Sequence, residues 1–172
     1  ARSAIDFRPS RYTCDAPARA AGEPALSARG VTFHYTNGPD VLQNVTMDAP
    51  AGSFLALVGP NGSGKTTLAS HFAGVLLPQP GQIWLFENDI TTLSSEQIAA
   101  HVGFVFQNPE HQFVESTVES ELGYSLRVRR RPAGEVAEIV AQLLDSFGLA
   151  PFKAMNPFRL SQGQKRRLSV AT

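Results

Sequence analysis

From residue 25 onward apolar and polar positions alternate, then run together, then recur at helical spacing, and each change of pattern predicts an element. Residues 25–35 alternate well enough for a strand, Asn37-Gly38-Pro39-Asp40 marks a turn, and residues 41–47 read as a second strand closed by Pro50-Ala51-Gly52, so a hairpin is implied. The run Phe54-Leu55-Ala56-Leu57-Val58 is continuously apolar, as a strand buried on both faces of a parallel sheet should be. A helix follows and is expected to end near Leu77, ahead of Pro78-Gln79-Pro80-Gly81, and residues 82–86 return as a strand. Ser94 with Gln97 makes a capping box for a short helix through His101, and residues 102–106 read as another buried strand. Pro109 restrains Asn108 and makes residues 108–113 a loop. Ser116 and Glu119 suggest a second capping box, opening a helix that runs toward Arg131 and stops at Pro132. Val136, Ile139, Val140, Leu143, Leu144 and Phe147 keep helical spacing up to a C-capping Gly148. Ser161 is the expected N-cap of a last helix, with Leu168 and Ala171 turned inward and Lys165, Arg166 and Arg167 turned to water. Residues 1–25 carry Pro, Ala and Arg without period and read as a linker or tail.

Between the run at 54–58 and the first helix stands Gly59-Pro60-Asn61-Gly62-Ser63-Gly64-Lys65-Thr66. Its glycines let the backbone turn tightly and bring several N–H groups toward a polyphosphate, while the helix behind points its positive dipole end at the same anion. Lys65 supplies a point charge for the β- and γ-phosphates, and the Thr66 hydroxyl suits Mg²⁺. A glycine-rich turn before a helix is the plain alternative. The apolar run before the loop and the helix after it favour nucleotide binding.

At 172 residues, 42% hydrophobic and 17% charged, the chain has the size and composition of one globular domain. Its 15 Lys+Arg balance 15 Asp+Glu, so no global field draws it to nucleic acid or to an anionic bilayer. Arg127, Arg129, Arg130 and Arg131 form one basic cluster. As a nucleic-acid patch it competes with a solvated helix end whose cations complement the C-terminal dipole, the reading we favour. Cys14 is the only cysteine, which excludes an intramolecular disulfide and points to a reducing setting. No apolar stretch approaches the roughly 18 residues that a spanning helix needs. His34, His71, His101 and His111 do not pair at metal-ligand spacing and read as structural or surface residues.

Two further stretches complete a resemblance to the ATP-binding subunits of ABC transporters. Gln107 within Val105-Phe106-Gln107-Asn108-Pro109 is similar to a Q-loop, and Leu160-Ser161-Gln162-Gly163-Gln164 is similar to the signature motif, although Gln162 stands where glycine is commonest. Residues 106–119 look like one subgroup, the energy-coupling-factor importers of vitamins or transition-metal ions. The resemblance covers about residues 25–172 and implies an α/β P-loop NTPase of the ABC ATPase type, with a parallel core sheet, an antiparallel β subdomain and a helical subdomain. It divides the chain into a linker at 1–25 and an ATPase domain at 26–172, with the core at 26–106 and the Q-loop and helical subdomain at 107–172. ATP and Mg²⁺ are the implied ligands. Tyr35 would stack on adenine, for which a flat amphipathic ring is suited; packing on the core is the alternative for that residue. Gly59, Pro60, Asn61, Gly62, Ser63, Gly64 and Lys65 would hold the phosphates, Thr66 and Gln107 the Mg²⁺, and Thr67 the α-phosphate. Leu160, Ser161, Gln162, Gly163 and Gln164 would act in trans on ATP bound to a second ATPase domain. The segment between Gln107 and Ser116 would meet an integral membrane subunit, placing the protein peripherally on the cytoplasmic membrane face; an ordinary polar loop is the alternative there.

In that family the Walker B strand, its terminal Asp-Glu pair and a switch histidine follow the signature, beyond these residues. Residues 1–172 alone are therefore expected to bind MgATP without appreciable hydrolysis, because phosphoryl transfer to water also needs a positioned base and a full Mg²⁺ shell. They are also expected to fold poorly, with the run at 54–58 deprived of its neighbour in the sheet. Hydrolysis is expected of a longer protein working as a homodimer, a heterodimer or a fused tandem, in which residues 1–25 would be the connecting linker. Two other classes stay open: a soluble ABC ATPase uncoupled from transport, and a non-hydrolysing ATP-binding structural partner.

Overall fold

The alternating stretch becomes a strand as its pattern predicts: β1 (Pro24–His34) pairs antiparallel with β2 (Asp40–Pro50) across the Asn37-Gly38 turn. The computed structural model describes residues 23–172. Nearly all of the expected linker, Cys14 included, lies outside the described residues. Two short strands, β3 (Ile83–Leu85) and β4 (Asn88–Asp89), extend the sheet to the order β2-β1-β3-β4, every pair antiparallel. A register break between Ala28 and Val31 lets both residues face inward although they stand an odd number of positions apart, the usual effect of a bulge.

Among the described residues, 23–104 form one compact unit and 105–172 a second. In the first, α1 (Lys65–Phe72) lays Leu68 and Phe72, one turn apart, into a core with Ala28, Val31, Leu42 and Ile83. Ile90 and Ile98 close that core, the latter from α2 (Ser95–Ala99), whose Ser94–Gln97 capping box is the one the sequence predicts.

Two expectations need correction here. The apolar runs at 54–58 and 102–106 form no strand. A parallel strand draws its hydrogen bonds from neighbours, and no described strand lies beside either run; Phe54 and Val58 are left 97% and 91% exposed. An uninterrupted apolar run states a need for burial, and the ladder that would meet it has to come from other residues. The first helix also stops short of Leu77. Gly74 adopts φ +67°, and the N–H groups of Gly74 and Val75 donate to the carbonyls of His71 at 3.1 Å and Ser70 at 2.9 Å, the paired bonds of a Schellman stop. In the full-length protein, Gly74→Ala is expected to lower stability by about 1–2 kcal/mol, measured by the denaturant midpoint, because alanine resists the left-handed conformation. Its Cβ would also stand 2.9 Å from Ile98 Cδ1.

The second unit packs α3 (Val118–Val128), α4 (Ala133–Ser146) and α5 (Gln162–Ala171) around Phe113, Val118, Leu122, Val140, Leu144 and Leu168. The box that opens α3 is Thr117 with Ser120, one residue past the expected pair Ser116 and Glu119. Thr117 is the residue left extended, so its hydroxyl receives the Ser120 N–H at 3.1 Å, while Ser120 Oγ accepts from the Thr117 N–H at 3.2 Å. In the basic cluster Arg127 pairs with Glu115 at 2.7 Å and Arg131 with Glu135 at 3.0 Å. α4 ends at the expected Gly148, where the Leu149 N–H reaches back to Leu144 O at 2.7 Å.

Candidate functional site

The loop at 59–66 delivers its chain directly into α1. Gly64 is the N-cap with φ +84°, and a Cβ there would fall 2.7 Å from Leu42 Cδ2 and 2.8 Å from the Val41 carbonyl, so glycine alone fits. No side chain caps α1, and no acidic residue occupies its first turn. Its leading N–H groups are therefore open to an external acceptor, at the end where the helix dipole is positive. Lys65 folds back over the loop: its Nζ donates to the carbonyls of Gly59 at 2.9 Å and Pro60 at 2.7 Å and to Ser63 Oγ at 3.3 Å. Neutral carbonyls are weak acceptors for an ammonium beside phosphate oxygens, so an entering polyphosphate can take these donors over. Asn61, Gly62, Ser63 and Thr66 lie exposed at this surface.

Tyr35 and Thr67, far apart in sequence, meet. The Tyr35 hydroxyl is 3.3 Å from Thr67 Oγ1, and the tyrosine ring sets an edge contact with Phe33, centroids 5.0 Å apart at 87°. Tyr35 remains 49% exposed. The two sequence readings of this residue are thus compatible, since it packs on Phe33 and still offers ring surface to a base. His71, read from sequence as structural or surface, is fully buried in α1 one turn beyond Thr67.

In the unit 105–172, Gln107 is exposed in a bend. The residues around it are fastened to α5: Arg166 Nη1 donates to Phe106 O at 2.9 Å, Lys165 Nζ to Glu110 Oε1 at 2.5 Å, and Gln112 Nε2 to Ser169 O at 3.1 Å, with Ser169 Oγ returning a bond to Gln112 Oε1 at 2.9 Å. Lys165 is consequently buried, against the expectation that it faces water. The signal was available in the spacing, because Lys165 precedes the inward Leu168 and Ser169 by three and four positions and shares their face.

The signature stretch forms the start of α5. Leu160 is buried and anchors it, and Ser161 is the N-cap as expected, its N–H donating to Gln164 Oε1 at 2.8 Å in a reciprocal box. Ser161, Gln162 and Gly163 face solvent. A Cβ on Gly163 would meet nothing within 4 Å, and the first turn of α5 holds no acidic residue. This is a second helix N-terminus at the surface, one whose Gln164 N–H is already taken by the Ser161 hydroxyl at 3.4 Å.

The residues present suit a nucleotide with its metal. Among the described residues no group of three or more His, Cys, Asp or Glu could hold a cation. Mg²⁺ favours a few protein ligands with phosphates and waters over a complete protein cage, and the Thr66 hydroxyl is a donor of that kind.

Residues 42–172 match the family model of ABC transporters. The energy-coupling factor transporter ATP-binding protein EcfA1 of Geobacillus kaustophilus is 41% identical over 150 residues, 87% of this chain and 54% of that protein. YkoD of Bacillus subtilis, associated by its name with HMP/thiamine import, is 40% identical over 151 residues, 88% of this chain and 27% of that one. Among solved structures, cbiO1 of Clostridium perfringens, titled as part of the ABC transporter complex cbiONQ, aligns with a TM-score of 0.68 at 28% identity, covering 87% of this chain and 60% of its own. The chain spans about half the length of the EcfA1 relative and about a quarter of YkoD.

Proposed function

The chain belongs to the ABC transporter family, and on that premise we propose that it is the ATP-binding part of a subunit that powers the import of a small solute, a vitamin, a vitamin precursor or a transition-metal ion. Its fold is the α/β P-loop fold of ABC ATPases. Among the described residues no helix is long and apolar enough to cross a membrane. As part of such an importer, the subunit would sit on the cytoplasmic membrane face, held by an integral partner at the segment between Gln107 and Ser116.

One observation carries the reading: the same chain presents two surface helix N-termini with no acidic residue in the first turn, one uncapped behind a lysine-bearing glycine loop and one at an exposed signature turn whose glycine nothing in its own fold requires. The first is a site for this chain's own ATP, where Lys65 and the loop N–H groups hold the phosphates, Thr66 and Gln107 ligate Mg²⁺, Thr67 touches the α-phosphate and Tyr35 stacks on the base. The second is a site for ATP bound elsewhere, so Ser161, Gly163 and Gln164 would close over the γ-phosphate held by a second ATPase domain. Leu160 anchors that turn to the core, and the Gln162 side chain would point away from the phosphate. We place the core at 26–106 and the helical subdomain at 107–172.

Purification of the full-length protein from its source membrane tests this. It is expected to bring down an integral membrane protein and a second ATPase subunit or domain, and the complex in vesicles is expected to take up a vitamin or metal ion only when supplied with MgATP. Recovery with nucleic acid and no membrane protein, or uptake indifferent to ATP, would overturn it.

A further inference from the structure

His71 is fully buried, and its two ring nitrogens fare differently. Nδ1 lies 2.9 Å from the carbonyl of Leu76, whereas Nε2 has no hydrogen-bond partner among the described residues. A carbonyl can only accept, so Nδ1 carries the proton and Nε2 is a bare lone pair. Burial pushes the imidazole below its ordinary 6.5, against the smaller pull of the Leu76 bond, and the ring is uncharged at neutral pH. A buried polar atom left unsatisfied is destabilising, and a plain hydrophobic residue would avoid that penalty. The geometry around the ring supplies a reason for keeping it. The His71 ring meets Phe33 edge to face, centroids 4.7 Å apart at 78°, and Phe33 meets Tyr35 in the same manner at 5.0 Å and 87°. Tyr35 then returns to the helix through its hydroxyl contact with Thr67. Thr67 and His71 are one turn apart on α1, so the path closes on itself: helix, histidine, phenylalanine, tyrosine, helix.

We propose that His71 is a positioning residue for base recognition, setting the orientation of the Tyr35 ring through Phe33. This rests on the reading of Tyr35 as the surface that receives the nucleotide base. Edge-to-face ring contacts are directional, so each ring in the path fixes the tilt of the next. The Leu76 bond stops rotation of the first ring and thereby makes it a reference. The helix that presents its N-terminus to the phosphates thus also sets the plane on which the base lies, so the two ends of one ligand are registered to a single element.

The test compares affinity for MgATP with affinity for Mg-tripolyphosphate, which has the phosphates and lacks the base, in the full-length protein assembled with its partner ATPase. The wild type is expected to prefer ATP, and Tyr35→Ala is expected to reduce that preference about tenfold, the scale of one base stacking on an aromatic ring. His71→Asn keeps a donor for Leu76 and removes the ring; Phe33→Leu keeps an apolar filling and removes the middle ring. Both are expected to lose most of the preference that Tyr35→Ala loses while holding tripolyphosphate within about twofold of wild type, and His71→Phe, which restores a ring without the bond to Leu76, is expected to recover part of it. A preference for ATP that survives both His71→Asn and Phe33→Leu, or a parallel loss of both ligands in every folded variant, would overturn the inference. A wild type that binds neither ligand would remove the nucleotide reading itself, and this inference with it.

Discussion

Lys65→Ala in the full-length protein is expected to weaken ATP binding by about 10- to 100-fold, the equivalent of one lost hydrogen bond between charged groups. Hydrolysis should fall further, by about a thousandfold or more, because catalysis of phosphoryl transfer is almost entirely positioning and charge neutralisation around the γ-phosphate. The structure indicates that the fold will not suffer. The ammonium bonds only to two loop carbonyls and one loop hydroxyl, and Gly59, Pro60 and Ser63 are not core residues. The expected pattern is an unchanged denaturation midpoint with ATP affinity lost, measured by calorimetric titration. Lys65→Arg should be nearly as damaging to turnover, since a planar fork cannot replace a compact point charge inside a narrow loop. Unaltered ATP affinity in Lys65→Ala would take the loop out of the binding site.

How much of this was legible in the chain depends on where each feature gets its energy. The hairpin, the Ser94 box, the Ser161 cap and the Gly148 stop are local, made by residues that are neighbours in sequence, and all appear where pattern predicts them. The errors have two sources. One is competition between equivalent local signals: Thr117 outcompetes Ser116 as a cap, and Gly74 ends α1 before Pro78 has any part in it. The other is dependence on residues distant in sequence. The run at 54–58 states its hydrophobicity and cannot state its neighbour, and it stands exposed. Lys165 reads as a solvent cation until Glu110, 55 positions away, is placed against it.

The candidate site divides along the same line. The loop glycines and Lys65 announce their chemistry by spacing alone, because a tight turn ahead of a helix is a local construction. The pairing of Tyr35 with Thr67 and the ring path through Phe33 to His71 are non-local. Sequence gave His71 no distinguishing mark beyond its place one turn past Thr67.

Gly163→Asp is expected to leave folding and ATP binding intact while lowering hydrolysis by at least about a hundredfold, the scale of placing like charges against each other at an interface. At Gly64 the fold itself excludes a side chain. At Gly163 the position has no such demand: it lies in the first turn of α5 with an ordinary helical φ, and a Cβ would meet nothing within 4 Å. Aspartate is favourable in a first turn, by about 0.3–1 kcal/mol through the helix dipole, and this offsets its modest helix propensity. A thermal melt should therefore barely move. If the exposed N-terminus of α5 closes over a γ-phosphate held by a second domain, however, the new carboxylate faces that phosphate directly. The defect should then follow the partner. In a heterodimer carrying Gly163→Asp on one side only, the wild-type subunit's own loop should bind ATP normally, yet the site completed by the altered turn should fail to hydrolyse it. Normal turnover in that heterodimer, or loss of ATP binding by the altered subunit's own loop, would show that the signature turn does not act across a dimer.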